Sequence, residues 1–351
     1  MKTEQLRNIV DNTLVPHSAF NRASDKLEQC FRSVTGASEP ISIAIVGESR
    51  TGKSRLLEEF AARHRAERRI EGLHMPILRA KAPSQPTVKG LVEVMLRALK
   101  DPRADKGTEQ ARTARLMGLI AAVETKVVMI DEFQHFYDKG THRVIYRVAD
   151  WLKNLVDDTK VVLVVAGLPT CTSVIHQNEQ LEGRFLAPVR MPRFHWIDDE
   201  AREEFIAILG AFTEAPSEHF DIPRLDSDEM AFRCYCGTGG LMGYVTKLLR
   251  TAVWNAVDSK HRRITLRDLA VAHRESVWNQ ELLSDVAQPF SRTFETLPRA
   301  DVLEKVSHIG AAAEEAPIER RRPRKRRAPP SLQPTRGRAK GRNHRGDDVD
   351  A

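Results

Sequence analysis

Residues 41–54, ISIAIVGESRTGKS, narrow the choice of fold more than any other part of the chain. A short apolar, β-branched run ends at Gly47, and helix formers begin at Lys53. The first part reads as a buried parallel strand. GESRTGKS fits the pattern G-x-x-x-x-G-K-[ST], and its place between a strand and a helix is the context that pattern requires. Glycines let the backbone curl until successive N–H groups point inward at phosphate oxygens. The helix that follows adds the positive end of its dipole. Gly47, Glu48, Ser49, Arg50, Thr51, Gly52, Lys53 and Ser54 are therefore expected to bind ATP. Lys53 is expected to reach the β- and γ-phosphates, and the Ser54 hydroxyl to ligate Mg²⁺.

VVMIDE (127–132) is the expected partner of that loop. Four apolar residues deliver Asp131 to the end of a strand, where it would hold Mg²⁺, and Glu132 would polarise the attacking water. A hydrolysing ATPase also needs a polar residue on the strand lying between these two motifs. Thr170, just past the run 160–167, is the nearest hydroxyl. Arg184, in LEGRF (181–185), is placed to reach a neighbouring subunit's γ-phosphate, or else forms a surface ion pair.

The remaining pattern predicts four regions. Residues 1–38 form a helical lead-in with a break at 14–17. Residues 39–195 form an ATPase core of α/β class, with strands expected at 41–46, 75–80, 126–131, 160–167 and 186–191. The intervening helices, at 53–67, 87–99, 109–123 and 141–158, imply a five-stranded parallel sheet covered on both faces. Residues 196–310 show helical spacing only and read as a small helical domain. Residues 311–351 are rich in Pro, Arg and Gly and read as a disordered basic tail.

Composition sets the outer limits. No apolar run is long enough to span a membrane, and the start lacks the marks of a signal peptide, so a cytoplasmic chain with no membrane partner is expected. Cys30, Cys171, Cys234 and Cys236 match no zinc spacing and read as small buried residues. The net charge is +7. Residues 320–345 carry twelve Lys/Arg and no acid, which leaves 7 − 12 = −5 for the rest. The basic tail suits contact with DNA or RNA, a protein partner, or plain solvation.

Taken together, GESRTGKS, LRAKAP (78–83), VVMIDEFQHF (127–136), VVAGLP (164–169) and LEGRF resemble the TniB/TnsC ATPases of transposons, including CRISPR-associated ones. MPRFHWIDDEAREEFIAIL (191–209) and GTGGLMGYVTKLLRTAV (237–253) resemble that family's lid, and the likeness spans residues 14 to 280. The resemblance implies a bacterial AAA+ P-loop ATPase using ATP and Mg²⁺. It implies self-assembly into a ring or helical filament on double-stranded DNA. Its partners would be a transposase and a TniQ-like target-selection protein, and hydrolysis would drive disassembly. Helices inserted before DEFQHF often line the channel in AAA+ proteins of this kind, which makes Lys100, Arg103, Lys106, Arg112 and Arg115 candidate DNA contacts, against the reading of an ordinary solvated face. Two departures stand out. Arg50 occupies a loop position where the family commonly has a small residue, and Leu241-Met242 lacks the arginine with which many AAA+ lids sense nucleotide. The alternatives are a nucleotide-switched oligomeric binding module with little turnover, or an initiator- or loader-type ATPase outside transposition.

Overall fold

The computed structural model describes residues 3–34, 39–277 and 288–310; the basic tail at 311–351 lies outside them. Seven strands are β1 (Ile43–Val46), β2 (Glu67–Arg69), β3 (Gly72–His74), β4 (Ile77–Lys81), β5 (Val127–Asp131), β6 (Val162–Gly167) and β7 (Val189–Arg190). The helices before the second half of the sheet are α1 (Thr3–Arg7), α2 (Ile9–Asn12), α3 (Ser18–Ser33), α4 (Lys53–Arg63), α5 (Val88–Ala98) and α6 (Glu109–Ala122). Then follow α7 (His135–Asp138), α8 (His142–Thr159), α9 (Thr172–Ile175) and α10 (Glu179–Glu182). The C-terminal part holds α11 (Asp199–Ser217), α12 (Asp228–Thr238), α13 (Met242–Asp258), α14 (Leu266–Ser276) and α15 (Ala300–Ser307).

Five strands form one parallel sheet in the order β4-β5-β6-β1-β7. Successive side chains on a strand face opposite ways, and here both faces are covered. Ala44, Val46, Val128, Ile130, Leu163 and Val165 join the core beneath α5, α6 and α8. Their neighbours Ile43, Ile45, Val127, Met129, Val162 and Val164 join a second core with α3 and α4. This double burial is why the strands read as continuous apolar runs rather than alternating ones. A third core gathers the aromatic and aliphatic residues of α11–α15, together with Val10 of α2. The N-terminal helices therefore divide: α1 and α2 pack on α13, and α3 packs on β1, β7 and α4. The break between them, 13–17, ends at His17, whose Nδ1 accepts the Phe20 N–H and caps α3. All four cysteines are free and buried. No helix among the described residues is long and apolar enough to cross a membrane.

Three local features differ from the sequence pattern. The helix opening at Lys53 ends at Arg63, and an antiparallel hairpin, β2–β3, follows it. Its strands are only three residues long, β2 is exposed, and Ile70 at the tip is fully exposed, so no period of hydrophobicity marks it. The fifth strand shrinks to two residues at the sheet edge.

The third difference is a correction. Arg112 and Arg115 were expected to face DNA, but both are turned into the loop between α5 and α6. Arg112 is 4% exposed; it donates to Glu93 Oε2 at 2.9 Å, to the Gly107 carbonyl at 3.1 Å and to the Asp105 carbonyl. Arg115 donates to Asp101 Oδ2 at 2.7 Å and to the carbonyls of Arg103 and Lys106 at 2.6 and 3.1 Å. A loop without its own ladder must satisfy its carbonyls somewhere, and two guanidinium forks do so here. Lys100, Arg103 and Lys106 remain exposed on that loop. Arg112→Ala is expected to lower stability by about 1.5–3 kcal/mol, the range for hydrogen bonds to a charged group. Lys106→Ala should stay within about 0.5 kcal/mol of the parent, as surface substitutions usually do. Urea unfolding of both variants checks the contrast.

Candidate functional site

The parallel register brings the ends of β1, β5 and β6 to one side of the sheet, where open α/β folds bind ligands. The loop after β1 curls around Lys53. Its ammonium donates to the carbonyls of Gly47 at 2.9 Å and Glu48 at 2.5 Å, and its side chain is buried. Gly52, at φ 97°, lets the chain turn into the first residue of α4. Burial pulls the Lys53 ammonium below its ordinary pKa, against the opposing charges of Asp131 and Glu132. Across the cleft, Ser54 Oγ donates to Asp131 Oδ2 at 2.7 Å. The resulting cavity is about 320 Å³ and is lined by Lys53, Ser54, Asp131, Glu132, Gln134 and the end of β6, among others.

Glu132 stands where the chain leaves β5. Its backbone is left-handed, φ 56°, its N–H donates to Asp131 Oδ1 at 2.9 Å, and Phe133 N–H then bonds Ala166 of β6. A non-glycine residue in that conformation costs about 1–2 kcal/mol and is held by its surroundings. The carboxylate is held by Gln134 Nε2 at 2.6 Å, with Lys81 Nζ at 3.9 Å. Gln134 Oε1 in turn accepts the Leu168 N–H at 3.2 Å. Gln134 thus bridges Glu132 to the end of β6, and a side chain at Gly167 would collide with it. Gln134 is the polar side chain that lines the cavity here. Thr170, the hydroxyl expected there, is exposed in the short turn Pro169–Cys171 and is not among the residues lining the cavity. Sequence distance misled here, because Gln134 comes from the strand end next door rather than from β6 itself.

Arg184 lies at the opposite end of β1. Its carbonyl accepts the Ser42 N–H at 2.8 Å, and β1 separates it from the phosphate loop by about 13 Å of strand. Its guanidinium pairs with Asp157 and, at 3.8 Å, Glu39. Arg184 therefore faces away from its own chain's phosphate loop.

The structure also places three contributors that the sequence pattern does not single out. Arg193, 4% exposed, donates through Nε to Glu48 at 2.9 and 3.1 Å, with Nη2 on the same carboxylate. Its Nη1 donates to the carbonyls of Gly239 at 3.2 Å and Ile309 at 3.0 Å. The bond to Arg193 holds the Glu48 carboxyl below its ordinary pKa, against the effect of its partial burial. The first turn of α13 meets Arg50 through Gly243 and Tyr244. Beside the phosphate loop, Val10, Leu14, Phe20, Thr51, Met242 and Thr246 help enclose a mostly apolar pocket of about 170 Å³.

The residues present fit a magnesium nucleotide. Ser54 and Asp131 offer adjacent hard oxygens, and Mg²⁺ is commonly held by one or two carboxylates with the remainder supplied by phosphates and water. The sequence profile of the family described as bacterial TniB protein matches residues 5–196. The chain belongs to the TniB family. Its fold is shared with three solved proteins. The first is ORC2 of Aeropyrum pernix in ADPNP and ADP complexes: TM-score 0.58, 14% identity, 78% of this chain and 73% of that one. The second is Cdc6p of Pyrobaculum aerophilum: TM-score 0.56, 12% identity, 79% and 73%. The third is Aeropyrum pernix ORC1 in complex with DNA: TM-score 0.52, 14% identity, 80% and 71%. No match was found among curated proteins. The family match ends at Trp196, so the contacts at Gly239, Gly243 and Tyr244 come from beyond the matched part of this TniB-family chain.

Arg193→Met is expected to destabilise this TniB-family protein by about 1.5–3 kcal/mol, because two buried carbonyls lose a charged donor. Part of that difference depends on pH. Glu48 has a depressed folded pKa, so its contribution is fully present above 4.5 and is lost as pH falls through the lower folded value. Thermal melts of both proteins should therefore keep a constant gap from neutrality to about pH 4.5, and a narrowing gap below it.

Proposed function

We propose that this TniB-family chain is an ATP-dependent, DNA-binding regulator of transposition that assembles on duplex DNA and is released by ATP hydrolysis. The observation carrying the reading is the Ser54–Asp131 hydrogen bond beside the enclosed Lys53 ammonium, with Glu132 on the same rim. Lys53 and the curled backbone of 47–54 hold the phosphates. Ser54 and Asp131 would hold Mg²⁺, which when bound would supply charge neutralisation at the phosphates. Glu132 orients and polarises the attacking water. Gln134 positions Glu132. The apolar pocket beside Thr51 takes the base. Arg184 has its role in trans, since it cannot reach its own loop and must first leave Asp157. The core of 39–195 carries the phosphate site, and the lid of 196–310 closes over it. A TniQ-like protein would select the target, and a transposase would act on it. The surroundings are the bacterial cytoplasm.

The DNA surface follows from exposed charge. Arg103 and Lys106 precede α6, whose Glu109 pairs with Arg147 of α8 at 2.8 Å. One turn earlier on α8 lie His142 and Arg143, both exposed, and Lys139 is exposed just before them. In this reading the cations on either side of the Glu109–Arg147 bridge would supply the phosphate contacts. The reported DNA complex of Aeropyrum pernix ORC1, which shares the fold, is compatible with such a face.

A second reading, a nucleotide-switched module with little turnover, draws on Glu132 being held by Gln134 and Lys81. Glu132→Gln separates the two. It should keep ATP and DNA binding and lower the hydrolysis rate by about 10²–10⁴-fold, the usual worth of a general base. Unchanged turnover in that variant would remove Glu132 from the mechanism and favour the switch. The charge reversal pair Lys106→Glu/Arg143→Glu should weaken duplex binding and reduce the slope of log affinity against log salt by about 2, one unit per phosphate contact. Fluorescence anisotropy across a salt series measures that slope.

A further inference from the structure

Arg50 is built into the contact between the phosphate loop and the lid. Its backbone is left-handed, φ 69°, in the middle of the loop. Its carbonyl accepts the Gly243 N–H at 2.8 Å, at the first turn of α13. A side chain at position 243 would place its Cβ 2.8 Å from Arg50 Cβ and 3.1 Å from Arg50 Cα. Only glycine admits that approach without displacing the loop. The Arg50 guanidinium then lies over the ring of the next lid residue, Tyr244, 4.5 Å from its centroid. Tyr244 itself is 5% exposed and belongs to the lid core. One loop residue is thus joined to two consecutive lid residues, by its backbone and by its side chain.

The charges around it differ in availability. Lys53 is enclosed by two carbonyls, Arg193 is committed to Glu48, and Arg55 pairs with Glu59 at 2.9 Å. Among the described residues, no carboxylate pairs with Arg50, although it is exposed and lines the phosphate cavity. Its surroundings are positive: Lys247, one turn along α13, has an ammonium held below its ordinary pKa by desolvation and then by Arg50 and Arg250. The ring attracts the guanidinium through its quadrupole alone. A phosphate offers it full opposite charge and oxygens matched to its planar fork of N–H donors. A terminal phosphate in the cavity therefore outcompetes the ring, and its departure returns the guanidinium to Tyr244.

We propose that Arg50 senses whether a triphosphate or a diphosphate is bound and transmits that state to the lid. Its guanidinium exchanges between the terminal phosphate and the Tyr244 ring, while its carbonyl stays bonded to Gly243. The phosphate loop would then carry the sensing arginine that Leu241-Met242 does not supply. The proposal rests on the reading of the cavity as an ATP site. Its content is which residue distinguishes ATP from ADP and how α13 learns of it.

The test uses the full chain with Mg²⁺ and either ATPγS or ADP. Calorimetry gives the two affinities, and amide exchange reports on the peptide covering 242–258. The unaltered protein should prefer ATPγS and show different exchange in the first turn of α13 with the two nucleotides. Arg50→Ala should keep its ADP affinity, lose about tenfold of the preference for ATPγS, equivalent to about 1.4 kcal/mol, and erase the exchange difference. Arg50→Lys, which keeps charge without the planar fork, should restore part of the preference. Tyr244→Leu should leave the preference in place and loosen α13 in the ADP state alone. Arg50→Ala with an unchanged preference and exchange pattern overturns the proposal. So does an equal loss of both nucleotides, which would mark general damage to the loop. An unaltered protein that binds neither nucleotide overturns the ATP reading itself.

Discussion

The hydrogen bond from Ser54 to Asp131 joins the first turn of α4, which the loop after β1 leads into, to the end of β5, a strand that is not the neighbour of β1. β6 lies between β1 and β5, so the 2.7 Å contact exists only if all three strands keep their register. A slip of one residue in a parallel pair would move Asp131 away and turn its side chain to the other face. The register is secured by burial on both faces: every residue of β1, β5 and β6 is buried. The chemistry at the rim is therefore a property of the apolar sheet beneath it. Phosphate binding needs fixed geometry, and fixed geometry comes from side chains that never touch phosphate.

The C-terminal helices meet that rim in a different way. Their own core is large and aromatic. What joins them to the loop of 47–54 is a small set of polar contacts: Arg193 between Glu48 and the carbonyls of Gly239 and Ile309, Gly243 with Arg50, and Arg50 with Tyr244. Polar contacts of this kind contribute about 1 kcal/mol each for neutral groups and somewhat more when charged. That is enough to set a preferred arrangement.

How much of this was legible beforehand follows from how local each feature is. The strand-loop-helix of 41–63 and the strand ending at Asp131 are local, and the sequence pattern places both. So are the parallel sheet and the helical C-terminal part, since each rests on period and punctuation. Arg112 and Arg115 were misassigned because a basic residue near a helix start looks the same whether it points to solvent or into a loop. Only the carbonyls of Asp105, Gly107, Arg103 and Lys106 decide it. Gln134 was passed over for Thr170 because the order of strands in space is not their order in the chain. Arg193 and Gly243 lie in stretches the sequence picks out, but nothing local shows their contacts: their meaning lies in Glu48 and Arg50, 145 residues away in the first case. Arg50 was visible as an oddity, and the structure supplies its surroundings.

The position of Arg184 has a consequence for any assembly in which it serves a neighbour. The arginine sits at one end of β1 and the phosphate loop at the other. The surface that gives is not the surface that receives, so two copies related by a two-fold axis cannot complete both sites through one shared patch. The contact repeats head to tail, closing into a ring or advancing as a helix according to its rotation. In the helical case the polymer has a direction. One terminal chain holds nucleotide with no arginine arriving, and the other terminal chain presents an arginine that nothing takes up. The two ends would differ in chemistry before any partner protein distinguishes them.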